Sequence, residues 1–99
     1  MGKCTFTNKA VEDLSKIWDY TYAVWSEDQA DKYYKLIFDQ CKELAKNPVL
    51  GKKYNEVNND LSGYRVSHHI IFYRKIRASQ IEIVRILHYK MDLKNRIEE

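Results

Sequence analysis

The sequence predicts a small α+β domain: an N-terminal strand, an antiparallel helical hairpin packed on a small, mostly antiparallel sheet, and a short C-terminal helical segment. Three observations predict it. The first half carries two long apolar stripes at helical spacing. A capping sequence, Ser26-Glu27-Asp28-Gln29, joins them with almost no linker. The last third holds two strand-like runs, His69–Ile76 and Gln80–His88, parted by a short polar turn.

The elements follow in order. Lys3–Thr7 reads as a short strand anchored by Phe6 with help from Cys4. A helix is expected from about Asn8 to Trp25, with Thr7 as its N-cap, because a threonine hydroxyl accepts a free N–H of the first turn. Its stripe is Val11, Leu14, Ile17, Trp18, Thr21, Tyr22 and Trp25. Glu12, Asp13, Lys16 and Asp19 fall mostly on the polar side, and both tryptophans are core or interface anchors. Ser26 caps a second helix to about Lys46, with Gln29 reaching back to the Ser26 amide. The second stripe is Ala30, Tyr33, Tyr34, Ile37, Cys41, Leu44 and Ala45. Asn47-Pro48 ends it, since proline disfavours helical geometry in the residue before it.

Val49–Ser62 reads as the loop, rich in Gly and Asn and including Asn58 and Asn59, with Lys52, Lys53 and Tyr54 as a basic, aromatic tip. Tyr64–Ser67 starts the sheet, and Ile70–Ile76 and Ile81–Leu87 form a hairpin around Arg77–Gln80. Strict alternation sets Ile70, Phe72 and Ile76 against Ile71 and Tyr73, and Ile81, Ile83 and Leu87 against Val84 and Ile86. Both sheet faces are then apolar, and one hairpin of helices covers one of them. A partner chain is the natural cover for the other, with the loop and terminal segment contributing part. Asp92 caps the last helical turn or two, and Leu93 and Ile97 are spaced to dock on the sheet.

At 99 residues the chain is expected to be one domain, residues 1–99, with one small core. No apolar run approaches the ~18 residues of a membrane span, and the opening stretch lacks a signal-type apolar core, so a cytoplasmic protein is expected. Cys4 and Cys41 are too few and too far apart for a disulfide framework. No metal-ligand spacing and no P-loop or glycine-rich nucleotide motif occurs, so no metal and no cofactor are implied. Net charge is +3, unevenly placed: residues 8–47 carry six Lys against eight carboxylates, −2, and residues 48–99 carry ten Lys or Arg against six, +4. The basic half suits an acidic protein segment or a phosphate backbone.

Read for chemistry, Arg65, Arg74 and Arg85 lie on strands and are placed to pair with carboxylates or phosphate. His88-Tyr89 closes the last strand. A His–Tyr pair can share the acid–base work of in-line RNA cleavage, with Lys52, Lys53, Arg65 and Arg85 to stabilise the developing phosphorane charge, although no carboxylate or second His is clearly placed to complete the site.

With AVEDLSKIWDYTYAVWSEDQADKYYKLIFDQCKELAKNP, Gly51, GYR at Gly63–Arg65, HIIFYR at His69–Arg74 and IEIVRILHYKMD at Ile81–Asp92 in hand, the chain resembles the RelE/ParE toxin superfamily, and within it the ParE-type plasmid-stabilisation toxins. Lys90 stands where Arg is more usual in the LH-x-[RK]-MD ending, which keeps the charge. The resemblance implies a bacterial toxin of a type II toxin–antitoxin system. Its ParE branch stalls DNA gyrase on cleaved DNA by binding, and its RelE branch cuts mRNA on the ribosome. A cognate antitoxin wraps the toxin with an extended C-terminal segment. The expectation is a gyrase-binding toxin rather than an enzyme, with no sequence-specific nucleic-acid contact and a possible homodimer. Expected gyrase contacts are Arg85, His88, Lys90 and Met91. Expected antitoxin contacts are Tyr33, Tyr34, Tyr64, Phe72 and Arg74. The alternative, an endoribonuclease, would use Arg65, Arg85, His88 and Tyr89.

Overall fold

The computed structural model describes residues 2–57 and 60–98; Asn58 and Asn59 of the expected loop lie outside the described residues. The chain runs β1 (Lys3–Phe6), α1 (Asn8–Val24), α2 (Glu27–Lys46), a 3₁₀ turn (Pro48–Leu50), β2 (Lys52–Lys53), β3 (Ser62–Val66), β4 (His69–Arg77), β5 (Gln80–His88) and α3 (Leu93–Glu98). The strands form one sheet in the order β1-β5-β4-β3-β2. Only β1 is parallel to its neighbour; the other pairs are antiparallel. The α+β architecture and the chain order are those the sequence predicts.

The helix starts are capped as expected. Thr7 Oγ1 accepts the Ala10 amide at 3.0 Å, and the same hydroxyl donates to the Val84 carbonyl at 2.8 Å, so the cap is also a tie to β5. Ser26 Oγ accepts the Gln29 amide at 3.1 Å. The reciprocal bond from the Gln29 side chain is not made among the described residues, so the capping box is half formed.

The two helices cover one sheet face. Leu14 and Ile17 of α1 and Ile37, Cys41, Leu44 and Ala45 of α2 pack on Val66, Ile71, Tyr73, Ile81, Ile83 and Ile86. The α1 stripe is shorter than its sequence pattern. Val11, Tyr22 and Trp25 stand exposed, Trp25 by 73%. Trp18 stacks on Tyr22, with ring centroids 5.2 Å apart, and donates its indole N–H to Asp31 at 3.0 Å. Neither tryptophan enters the core.

The second face is closed by the chain itself. Leu61, Ile70, Phe72 and Leu87 form a second cluster beneath Tyr54 and Val57 of the loop and Tyr89, Leu93 and Ile97 of the C-terminal segment. The expected open apolar face for a partner is therefore absent, and Phe72, fully buried, is removed as an antitoxin contact.

Strict alternation fails in β5. Phe72 pairs with Arg85, but the next residue, Tyr73, pairs with Ile83, so Val84 is an extra residue in a β-bulge. The bulge puts Ile86 on the same face as Ile81 and Ile83, and Leu87 on the opposite one. A second irregularity leaves Ile76 unpaired between Lys75 and Arg77, and Ile76 is 46% exposed rather than part of an apolar face.

Candidate functional site

The end of the sheet where β4 begins and β5 stops gathers most of the chemistry-bearing residues. His69 pairs with His88 across the strands. Between β3 and β4, Ser67 takes a left-handed φ of 55°, which closes the turn and turns its carbonyl to accept Arg65 Nε at 2.8 Å. That bond holds the Arg65 guanidinium 3.9 Å from the Tyr89 ring centroid, in stacking range. Tyr89 in turn stacks on His88 at 5.0 Å, and His68 lies over both rings. The backbone fixes the corner: Tyr89 N–H donates to the His68 carbonyl at 3.0 Å, and Met91 N–H to the His88 carbonyl at 3.0 Å. Asp92 then caps α3, accepting the Asn95 amide at 3.4 Å.

His69 sits deeper. Its Nδ1 is 2.7 Å from the Tyr33 hydroxyl, and burial, followed by the neighbouring His88 and His68, lowers its pKa to about 4. The ring is therefore neutral at physiological pH. His88 is shifted in the same direction by desolvation and then by His68, Lys90 and Arg65. Burial raises the Tyr33 hydroxyl, so it stays protonated.

Arg85 departs most from its sequence reading. It is 8% exposed, and so is unavailable as a direct surface contact. Its Nε and one terminal nitrogen bind both oxygens of Asp13, at 2.8 and 3.0 Å. The other terminal nitrogen donates to the Arg96 carbonyl of α3 at 2.6 Å. Asp13, only 7% exposed, also accepts the Ile86 N–H at 3.0 Å. The reason lies in β1. It pairs with β5 only from Gln80 to Ile83, which leaves the next stretch of that edge without a strand, and α1 supplies a carboxylate there instead. Sequence reasoning placed Asp13 on the polar side of α1. Its signal was available: Asp13 is three residues after Ala10 and four before Ile17, both buried on the same face.

The other expected contacts divide. Lys90 and Met91 are exposed, Met91 by 42%, and His88 is half-buried beside them. Of the four residues in the nuclease alternative, Arg65, His88 and Tyr89 come together and Arg85 does not. On the α2 side, Tyr34 is 39% exposed and stacks on Phe38, which stacks on Phe6. Tyr33 and Tyr64 are half-buried against the helix-side core. Arg74 lies opposite Glu82, and its Nε is buried with no hydrogen-bond partner among the described residues. No group of three metal-ligating side chains occurs among the described residues. No helix is long and apolar enough to cross a membrane among those residues.

Comparison with known proteins places this arrangement. The family described as "ParE toxin of type II toxin-antitoxin system, parDE" matches residues 4–93, from the first strand through the start of α3. The chain belongs to the ParE toxin family. A ParE1 toxin of Mycobacterium tuberculosis (strain CDC 1551 / Oshkosh) is 34% identical over 80 residues, covering 81% of this chain and 82% of that one. A ParE1 toxin of Caulobacter vibrioides is 29% identical over 89 residues, covering 87% and 88%. Among solved structures, a chain of the chromosomal ParDE system of P. aeruginosa superposes with a TM-score of 0.75 at 22% identity, covering 89% of this chain and 96% of that one, which shows a shared fold. This ParE-family chain is thus the toxin component of a toxin–antitoxin pair.

Proposed function

We propose that this ParE-family toxin acts on DNA gyrase by binding, holding the enzyme on cleaved DNA, and that a cognate antitoxin neutralises it. Such a toxin needs higher affinity for the cleaved state than for the resting one, because equal affinity shifts no equilibrium. The observation that carries the binding reading over a catalytic one is the fate of Arg85. A phosphoryl-transfer site needs its cations free to meet charge developing on the phosphate. Here the Arg85 guanidinium is engaged on three sides by Asp13 and the Arg96 carbonyl. What remains at the surface beside it, His88, Lys90 and Met91, is a basic patch with a polarisable apolar side chain, suited to protein contact.

The antitoxin contacts we assign are Tyr34, with Phe38 and Phe6 stacked beneath it, Tyr33 and Tyr64 on the helix side, and Arg74, which alternation in β4 places on the opposite sheet face with Ile70 and Phe72.

The test is a supercoiling and DNA-cleavage assay with purified gyrase, ATP and the toxin. Linear DNA should accumulate with dose. Unchanged supercoiling and no linear DNA at any dose would sink the gyrase reading. The RelE-type endoribonuclease reading would then be examined by mapping mRNA cuts on translating ribosomes, since Arg65 and His88 both stack on Tyr89.

A further inference from the structure

The apolar stripe of α1 outruns the sheet. The last α1 residue buried on the sheet is Ile17. Beyond it stand Trp18 and Tyr22, one turn apart on one helix face, and Trp25 at the C-cap. Trp18 is half-buried, and Tyr22 and Trp25 are 53% and 73% exposed. A single exposed apolar residue is ordinary, but three neighbouring aromatic side chains at the end of a helical hairpin mark a contact surface.

The patch is held in place. Trp18 and Tyr22 stack with ring centroids 5.2 Å apart and planes 13° from parallel, which makes one flat plate. The Trp18 indole N–H donates to Asp31 at 3.0 Å and ties that plate to α2. Trp25 forms the corner: its N–H donates to the Thr21 carbonyl at 2.8 Å, and the next residue, Ser26, caps α2. A partner therefore meets side chains that are already ordered, which lowers the entropic cost of binding.

Charge selects the partner. From Ile17 to Asp31 the sequence carries Asp19, Glu27, Asp28 and Asp31 and no Lys or Arg; Lys16 and Lys32 bracket the stretch. All four carboxylates are exposed, and none is in an ion pair among the described residues. The hairpin tip is thus an acidic pole on a chain of net charge +3. Nucleic acid and anionic lipid are repelled by it. A second copy meeting it tip to tip would set like charges against each other. A basic protein segment is attracted. Aromatic faces beside carboxylates favour arginine over lysine, because a planar guanidinium stacks on a ring and forks onto a carboxylate. The chain makes such a stack within itself, where the Arg65 guanidinium lies 3.9 Å from the Tyr89 ring centroid.

We propose that the tip of the helical hairpin is a further contact surface, on which an arginine-bearing segment of the toxin's target stacks against Trp18, Tyr22 and Trp25 and pairs with Glu27 and Asp28. Assigning the segment to the target rests on the gyrase reading, since an enzyme that grips DNA presents basic surfaces. The binding of such a segment stands without it.

Both tryptophans of the chain belong to this patch, so intrinsic fluorescence reports on it alone. The full chain is titrated with short peptides in which Gly alternates with Arg, Lys or Glu. The Arg/Gly peptide should change the tryptophan emission saturably and bind at least roughly threefold tighter than the Lys/Gly peptide, and the Glu/Gly peptide should have no effect. Anisotropy of a fluorescein-labelled Arg/Gly peptide should show at least roughly tenfold weaker binding to Trp25→Ser and to the double variant Glu27→Gln with Asp28→Asn. All three side chains are exposed, and a circular-dichroism melt matching wild type verifies that each variant folds. No saturable change, equal binding of the Lys/Gly or Glu/Gly peptide, or unchanged binding to Trp25→Ser would overturn the proposal. The titration contains no gyrase, so its outcome is independent of whether gyrase is the target. In the gyrase assay Trp25→Ser should need at least roughly tenfold more toxin for the same cleavage. Wild-type inhibition that Trp25→Ser reproduces at equal dose overturns the assignment of the segment to the target, whereas wild type without effect overturns the gyrase reading itself.

Discussion

Replacing Asp13 by alanine should be among the most damaging single changes in this chain, and its size follows from the geometry. Asp13 and Arg85 are 7% and 8% exposed and share two hydrogen bonds of 2.8 and 3.0 Å. Truncating one member of a buried ion pair leaves the other as a buried charge without its partner, which costs about 3–5 kcal/mol. The Ile86 N–H, held by the same carboxylate at 3.0 Å, loses its acceptor too. For a domain of this size each kcal/mol moves the melting temperature by about 4–8 °C, so Asp13→Ala should lower it by on the order of 20 °C. Against a total stability of about 5–15 kcal/mol that is a large share. The cause is tested by the double variant Asp13→Leu with Arg85→Met, which removes both charges. It should recover most of the loss and retain a deficit of about 1–3 kcal/mol from the Ile86 amide, which loses its carboxylate acceptor. Urea unfolding of wild type, both single variants and the double variant gives the coupling energy directly. A loss below about 1 kcal/mol for Asp13→Ala, or no coupling in the cycle, would refute the account of this pair as structural.

Three further outcomes are expected. Tyr73→Phe should cost about 1–3 kcal/mol in urea unfolding, because the hydroxyl donates to the Pro48 carbonyl at 2.6 Å and accepts the Gly51 amide at 3.0 Å, and both groups lose their partner. Acid should destabilise the fold through His69: its folded pKa of about 4 lies below the ordinary 6.5, so the unfolded chain takes up the proton first. The stabilisation is full above about 6.5 and is lost as pH falls toward 4, and His69→Gln should flatten a melting series over that window. Tyr89→Phe should leave toxicity in growing cells within about twofold of wild type, because a binding toxin keeps the ring stacked under Arg65 while a nuclease that needs the hydroxyl loses activity by about 10²–10⁴-fold.

The elements that could be read from the sequence are those set by local chemistry. Thr7 and Ser26 cap where a hydroxyl precedes an amphipathic run, Pro48 follows the end of α2, and β-branched runs mark β4 and β5. What escaped depends on distant partners. The stripe through Tyr22 and Trp25 is periodic, but the α1 residues that bury on the sheet end at Ile17, so these aromatics stay exposed. Asp13 reads as a surface carboxylate until β1 ends beside Ile83 and leaves an edge to be satisfied. Leu61 sat in a loop read only for its polar residues, yet it is fully buried over the second face. Of the candidate site, His88 and Tyr89 were legible together because they are adjacent, while Arg65 reaches them from two strands over, across the start of β4. The separation of Arg85 from that cluster was not, since it depends on the bulge.

The Val84 bulge links the fold to the site. With strict alternation from Ile83, Arg85 would share the helix-side face with Ile81 and Ile83, and Ile86 would point to the second cluster. The extra residue lets Ile86 return to the helix side while Arg85, at the bulge, reaches both Asp13 of α1 and the carbonyl of Arg96 in α3. One side chain thereby joins the helical hairpin, the sheet and the C-terminal helix. The consequence for function is indirect and specific. Arg85 touches no partner in this reading, yet α3 and the adjacent Lys90–Met91 turn keep their place against α1 through it. A charge-conserving Arg85→Lys change cannot make the paired bonds to Asp13 and the third to α3 together, because a lysine ammonium is a point charge and not a planar fork. Such a variant keeps the positive charge while loosening the wall that carries Lys90 and Met91, so loss of toxicity in it reports on geometry rather than on charge.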